Sequence, residues 1–295
     1  MTTAAEPAAR TWSRDRRLVA VAWAATLVAG GLLFVVLHAF GVSDPLWADL
    51  AAVAVVAALG LAARKTQIAG YLVALAALAM AFAGLDVLFD AAGLRGWFDD
   101  APAYQTVPVQ SAFLVVPALA MVVTSLALGL DRRQLFLRAG NARVRSRIPA
   151  TSRRVPWTRL APISALVASV PLGVQLAATS APSAHDALRA LALLPAGLAF
   201  AVVNAVQEEV RFRAVTLAWL APALGAEHAL WLTSIAFGIA HWNGHPSGPT
   251  GVVLAGLFGA WLAKGMLDTR GLAVPAAIHA VQDVLIYGFL AAGAS

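Results

Sequence analysis

Apolar stretches of about 20 residues recur along this chain, and no other sequence feature limits its fold so tightly. A bilayer core of about 30 Å is crossed by roughly 20 helical residues, each rising about 1.5 Å. Inside lipid, every backbone polar group must find its partner within its own segment or in a closed barrel, and runs this long without alternation select helices. Nine candidate spans lie near residues 18–40, 46–63, 68–91, 106–130, 160–180, 187–220, 226–241, 249–267 and 271–292. The seventh and eighth are short and flanked by glycine, which leaves eight as the alternative count. The expected fold is all-α, a polytopic transmembrane helix bundle with about 8–9 spans. Composition agrees, with 60% hydrophobic and 12% charged residues and a mean hydropathy of +0.77.

The net charge of +6 raises nucleic-acid binding as a function, but the basic residues lie between the apolar spans and form no single stripe. Membrane orientation accounts for them, and nucleic acid is not an expected partner. Lys and Arg in short loops stay on the cytoplasmic side. Arg10, Arg14, Arg16 and Arg17 precede the first span, Arg64 and Lys65 follow the second, and nine arginines from Arg132 to Arg159 fill the loop after the fourth. The intervening loops, such as 41–44 and 97–104, carry acid or no charge. The N-terminus is therefore expected in the cytoplasm and the protein in the cell membrane, multi-pass, with its first span retained because the apolar run is too long for a signal-peptide core. The Arg-rich loop reads as an orientation signal in contact with anionic lipid. Near its end, Pro156 and Trp157 read as a chain break and an interfacial anchor. It divides the chain into an N-terminal four-span region (1–131), the loop (132–159) and a membrane domain (160–295) whose motif core is 187–290.

Ionisable residues inside spans are expensive and usually functional. In the first half only Asp86 and Asp90 draw notice; they lie near a span end with no evident basic partner and are expected to be structural or solvated, as His38 is expected to be interfacial. In the second half, Asn204, Gln207, Glu208, Glu209, Arg211 and Arg213 all fall in one apolar stretch, expected as a single long helix. Such groups must face a bundle interior or a wet cavity. Helical spacing pairs Glu209 with Arg213 at i, i+4 and leaves Glu208 on another face with Asn204 and Phe212, flanked by Arg211. The seventh span ends Phe237-Gly-Ile-Ala-His241, and the ninth contains His279-Ala-Val-Gln-Asp283. Measured from inner ends placed at 221, 226 and 271, Glu208, His241 and Asp283 stand about 20, 22 and 18 Å along their helices, with His279 near 12 Å, so they can meet at one level.

Two histidines with two or three carboxylates in a wet pocket suit hydrolysis by an activated water. Glu208 fits a general base and His241 a water-positioning group. His279 and Asp283 fit either oxyanion stabilisation or, with His241 and Glu208, ligation of a divalent metal such as zinc; the sequence leaves metal-dependent and metal-independent chemistry both open. There is no cysteine, no His-Glu-x-x-His, no Gly-x-Ser-Gly and no paired aspartyl motif.

Glu208-Glu209-Val-Arg-Phe-Arg213, Phe237-x-x-x-His241 and His279-x-x-x-Asp283, in that order on separate apolar helices, resemble the CPBP family of intramembrane peptidases. That family includes the type II CAAX prenyl endopeptidases and bacterial proteins linked to bacteriocin self-immunity. The resemblance covers about a third of the chain. It implies an intramembrane endopeptidase acting on a peptide or protein, lipidated or not, within the bilayer. By similarity Glu208 matches the water-activating glutamate, His241 its partner histidine, and His279 with Asp283 the pair holding the oxyanion or metal; Glu209 and Arg213 match the remaining positions of the first motif. Asp283 stands where the eukaryotic members resemble one another in having Asn, and Ala214 where many have Gly. The alternative is an immunity-type or scaffolding protein of the same fold that binds without cutting. A transporter fits less well, because the polar cluster is confined to one half. His245, flanked by Gly244 and Pro246, is expected beyond its helix and not a ligand, while His228 and His185 with Asp186 read as groups at span starts.

Overall fold

The computed structural model describes residues 15–42, 45–148, 151–179 and 184–293, and 79% of these are helical. Arg10, Arg14 and the side chain of His185 fall outside the described residues. The first span is α1 (Arg16–Leu27), a π-helical turn (Val28–Leu32) and α2 (Leu33–Ala39). Next come α3 (Pro45–Ala62), α4 (Ala69–Ala91), the short α5 (Leu94–Asp100), α6 (Ala103–Phe113) and α7 (Val115–Ala127). After a small hairpin, β1 (Arg145–Arg147) and β2 (Arg154–Pro156), follow α8 (Trp157–Thr179), α9 (Ala184–Ala192) and α10 (Leu194–Glu208). A second π segment (Glu209–Val215) leads into α11 (Thr216–Leu224), then α12 (Ala226–Ala240), α13 (Gly248–Thr269) and α14 (Ala273–Ala292).

Among the described residues, seven helices are long and apolar enough to cross a membrane, and up to eight if the bent pair Asp186–Ala192 and Leu194–Leu224 is counted as one span. With its 15 residues, α12 reaches only about 22 Å. The expected bundle of 8–9 spans is thus found, with one correction. The sixth stretch is not a single helix: it turns by 64° near Leu193. Pro195, in the first turn of α10, has no N–H to continue the hydrogen-bond ladder from α9 and suits the start of a new helix.

The Arg-rich loop folds onto the bundle instead of hanging free. Asn141 N–H donates to the Thr269 carbonyl at 2.8 Å, and Leu272 N–H to that of Arg138 at 2.7 Å. Asp268 accepts from Ser146 Oγ, Trp157 Nε1 and Lys264 Nζ at 2.5, 3.1 and 2.7 Å. Trp157 is therefore wholly buried and not an interfacial anchor. Two further expectations change. Asp86 and Asp90 do have a basic partner, Arg95, which reaches Asp86 at 3.6 Å and hydrogen-bonds Asp90. His228 is buried, its Nε2 accepting from Trp23 Nε1 at 2.6 Å across α1 and α12.

One apolar core runs through both halves of the chain, joining Ile68, Tyr71 and Leu72 of the first to Leu217, Leu220 and Leu232 of the second. The first span bends where it meets α12. Gly31 has φ 102°, a conformation side chains resist. A Cβ on Gly30 would stand 3.3 Å from that of Ala236.

Candidate active site

Three helices deliver the polar residues to one level. Glu208 closes α10, His279 and Asp283 share a face of α14, and His241 caps α12. His279 is the hub. Its Nδ1 lies 2.8 Å from Glu209 Oε1, and its Nε2 is 3.4 Å from Glu208 Oε2 and 3.8 Å from Asp283 Oδ1. Glu209, with no exposed surface, is also held by Arg213 Nη1 at 2.5 Å. Arg213 in turn lies 3.9 Å above the Phe237 ring. This buried ion pair lines neither of the two cavities that meet at the cluster. Its effect is to fix the ring of His279.

The π segment is where this happens. Widening the helix at Glu209–Val215 turns successive acids toward different neighbours, Glu209 inward to Arg213 and His279, Glu208 toward a cavity with Arg211 at 3.9 Å. Glu208 Oε2 is buried and has no hydrogen-bond partner. Phe237 organises the rings around it: His241 at 4.3 Å between centroids, His279 edge-on at 5.8 Å, Phe212 at 5.1 Å. His241 Nδ1 is 2.8 Å from the Phe237 carbonyl. A carbonyl only accepts, so Nδ1 carries the proton and Nε2 of the neutral ring is an acceptor.

The first cavity, about 350 Å³, lies between the N-terminal helices and the motif helices, with Asp49, Tyr71, Phe82, Glu208, Arg211 and His241 on its walls. The second, about 530 Å³, is almost entirely apolar and runs between α8, α13 and α14 past Leu160, Val167, Leu254 and Trp261 to His241, His279 and Asp283. His241 lines both.

All five motif residues singled out in the sequence come together with Arg213. His245 lies in the turn beyond α12, as expected from Gly244 and Pro246, although it lines the second cavity. Partial desolvation lowers its pKa, although the side chain keeps solvent exposure. Two contributions were not read from sequence. Gln207 Nε2 donates to Asn204 Oδ1 at 3.0 Å, and Asn204 Nδ2 to Asp283 Oδ2 at 3.2 Å, a relay that holds Asp283 from the side away from His279. Its signal was the i, i+3 spacing of two amides in an apolar helix. Asp49, a lone acid one turn into the second span, reaches the cavity from the N-terminal half.

Among the described residues, no group of three or more His, Asp and Glu side chains is arranged to hold a metal ion. The side chains that converge are engaged with one another, Glu209 with His279 and Asn204 with Asp283, so no step below runs through a metal.

An all-helical, multi-pass membrane bundle with carboxylates and histidines gathered between two internal cavities defines the class of protein. Residues 190–285 match the family model described as "Rce1-like: Type II CAAX prenyl endopeptidase Rce1-like". No curated protein and no solved structure matches the chain.

Proposed function

We propose that this protein is an intramembrane endopeptidase in which Glu208 and His241 activate a water for attack on a peptide carbonyl. The observation that carries the reading is the pairing of two acceptors on one cavity, Glu208 Oε2 without a hydrogen-bond partner, 3.4 Å from His279 Nε2, and His241 Nε2 freed by the Phe237 carbonyl. A water donating one hydrogen to each points a lone pair away from both, toward a carbonyl carbon. As it attacks, its proton passes to Glu208, which returns it to the leaving amine. His279 stabilises the oxyanion from Nε2 when that nitrogen is protonated, and Asp283, held by Asn204, orients it. The apolar cavity suits the hydrophobic part of a substrate, lipidated or not, with the scissile bond at His241, where the cavities join.

The test is cleavage of a library of lipidated and unlipidated peptides by purified wild-type protein and Glu208→Gln, each with and without a chelator. Cleavage by wild type alone is expected, with a loss of at least about 100-fold in the variant. Chelator sensitivity would assign a metal to the cluster and overturn this placement of the water. If well-folded wild type cuts no peptide, the protein binds without hydrolysing, as an immunity-type or scaffolding protein would.

A further inference from the structure

We infer that the site is served from the extracytoplasmic face of the membrane and cuts apolar, membrane-inserted segments in the outer half of the bilayer. The substrate class rests on the peptidase reading above; the sidedness does not.

The described basic residues other than Arg211 and Arg213 divide unequally between the two ends of the bundle. At one end stand Arg16 and Arg17, Arg64 and Lys65, the nine arginines from Arg132 to Arg159, Lys264 and Arg270. At the other end are only Arg95 and Arg189, and both are paired with acids: Arg95 with Asp86 and Asp90, Arg189 with Asp186 at 3.2 Å. Contacts between loops show that the first group shares one face. The Arg-rich loop is hydrogen-bonded to 269–272, Asp268 ties the hairpin to α13, Trp23 reaches His228, and the ring of Trp219 packs over Gly70. Short loops rich in Arg and Lys are retained in the cytoplasm, so this face is the inner one.

The chemistry lies toward the other face. His241 caps α12 at the end remote from that helix's inner start, about 22 Å along it, and Glu208 stands about 24 Å along the chain from Leu224. On α14, Asp283 and His279 lie about 15 and 9 Å from Ala273, and the His279 ring reaches Glu209 and Glu208, so the cluster crosses the middle of the bilayer and continues toward the outer face. The polar cavity continues past Glu208 to Gly31 at the bend of the first span and to Trp242, Asn243 and Gly244 of the outer loop, and no residue of the basic loops lines it. Water and the polar side of a substrate therefore arrive from outside. The apolar cavity extends the opposite way, from His245 and Pro246 inward to Leu160 and Ile148 beneath the arginine hairpin. A chain lying in it places its apolar part across the inner half of the bilayer and its scissile bond in the outer half. That geometry fits a membrane-inserted leader or anchor and not the cytoplasmic tail of a soluble protein.

The absence of cysteine permits a direct test in the full chain. Asn243→Cys and Asp100→Cys report on the outer loops and Arg143→Cys on the Arg-rich loop; all three positions are exposed. Spheroplasts are treated with a membrane-impermeant maleimide before and after permeabilisation. Labelling of the first two in intact spheroplasts, and of Arg143→Cys only after permeabilisation, is expected. Any other pattern overturns the inference. In a second arm, reporter segments carrying the same cut site on the outer or inner side of one transmembrane anchor are co-expressed with wild type and Glu208→Gln. Glu208-dependent cleavage of the outer site alone supports the substrate class, and cleavage of the inner site overturns it. Correct labelling with neither reporter cut would sink the peptidase reading and leave the sidedness standing.

Discussion

At the residue scale, adjacent glutamates do different work because a helical backbone of altered pitch sends them to different neighbours. Glu209 is sealed between Arg213 and His279, and removing one partner of such a pair leaves a charge with no water to solvate it. Arg213→Ala should therefore lower stability in detergent by about 3–5 kcal/mol, read as a fall in the thermal unfolding midpoint. Glu208 faces a cavity and meets Arg211 and His279 only at 3.9 and 3.4 Å, longer than hydrogen-bonded ion pairs, so the isosteric Glu208→Gln should remove cleavage with a midpoint close to wild type. A wild-type midpoint in Arg213→Ala, or a large loss of stability in Glu208→Gln, would show that the two roles have been exchanged. Asn204→Ala should reduce turnover about 10–100-fold with little effect on KM, because it releases Asp283 without touching substrate. The separate environments of the two glutamates were legible in the i, i+4 spacing of Glu209 and Arg213. The contribution of Asp49 was not, since one acid in an apolar span has no periodic partner to reveal which way it points.

At the scale of elements, helix packing decides where these side chains can stand. α12 and α13 cross closely because glycines face the site: a Cβ on Gly259 would lie 3.0 Å from Arg213 Nη2 and 3.1 Å from Phe237 Cδ1. Gly259→Val should cost about 1–3 kcal/mol by overpacking and should depress activity further, because it displaces the pair that fixes His279; paired unfolding and cleavage assays check both. The arginine hairpin depends on Asp268 in a similar way. Asp268→Ala strips the partner from buried Trp157 Nε1 and from Ser146, costing about 1–3 kcal/mol. It should also make the loop around Arg143–Arg154 much more sensitive to trypsin, and unchanged digestion would contradict that docking role. Seven of the nine stretches expected from length and apolarity are single helices long enough to span, and the sixth is a bent pair. The break at Leu193 was missed although Pro195 marks it, and the π segment was missed because it arises from local backbone geometry inside an unbroken apolar run. Nor was the fate of Trp157 legible, since its burial depends on Asp268, more than a hundred residues away in sequence.

For the molecule as a whole, the question is whether the first four spans merely accompany the motif helices or complete them. The sequence concentrates its expensive charges in the second half, which suggests a self-sufficient catalytic unit. Packing argues otherwise. The core joins α4 to α11 and α12, and the guanidinium of Arg211 lies 5.6 Å above the ring of Phe82. Tyr71 and Asp49 form the wall opposite Glu208 and His241. Take the first half away and Glu208 and Arg211 face hydrocarbon, where each charge costs at least about 2.5–3.5 kcal/mol. Residues 132–295 produced alone should therefore be inactive and rapidly degraded in the membrane. Co-expression with residues 1–131 should restore both abundance and Glu208-dependent cleavage, since the buried surfaces of two membrane segments can reassemble within the bilayer. Full activity from 132–295 by itself would mean that the wall supplied by Asp49, Tyr71 and Phe82 plays no part in the reaction. Activity recovered only with the partner fragment, and lost again when that fragment carries Asp49→Leu at wild-type abundance, would make the first half part of the catalytic cavity.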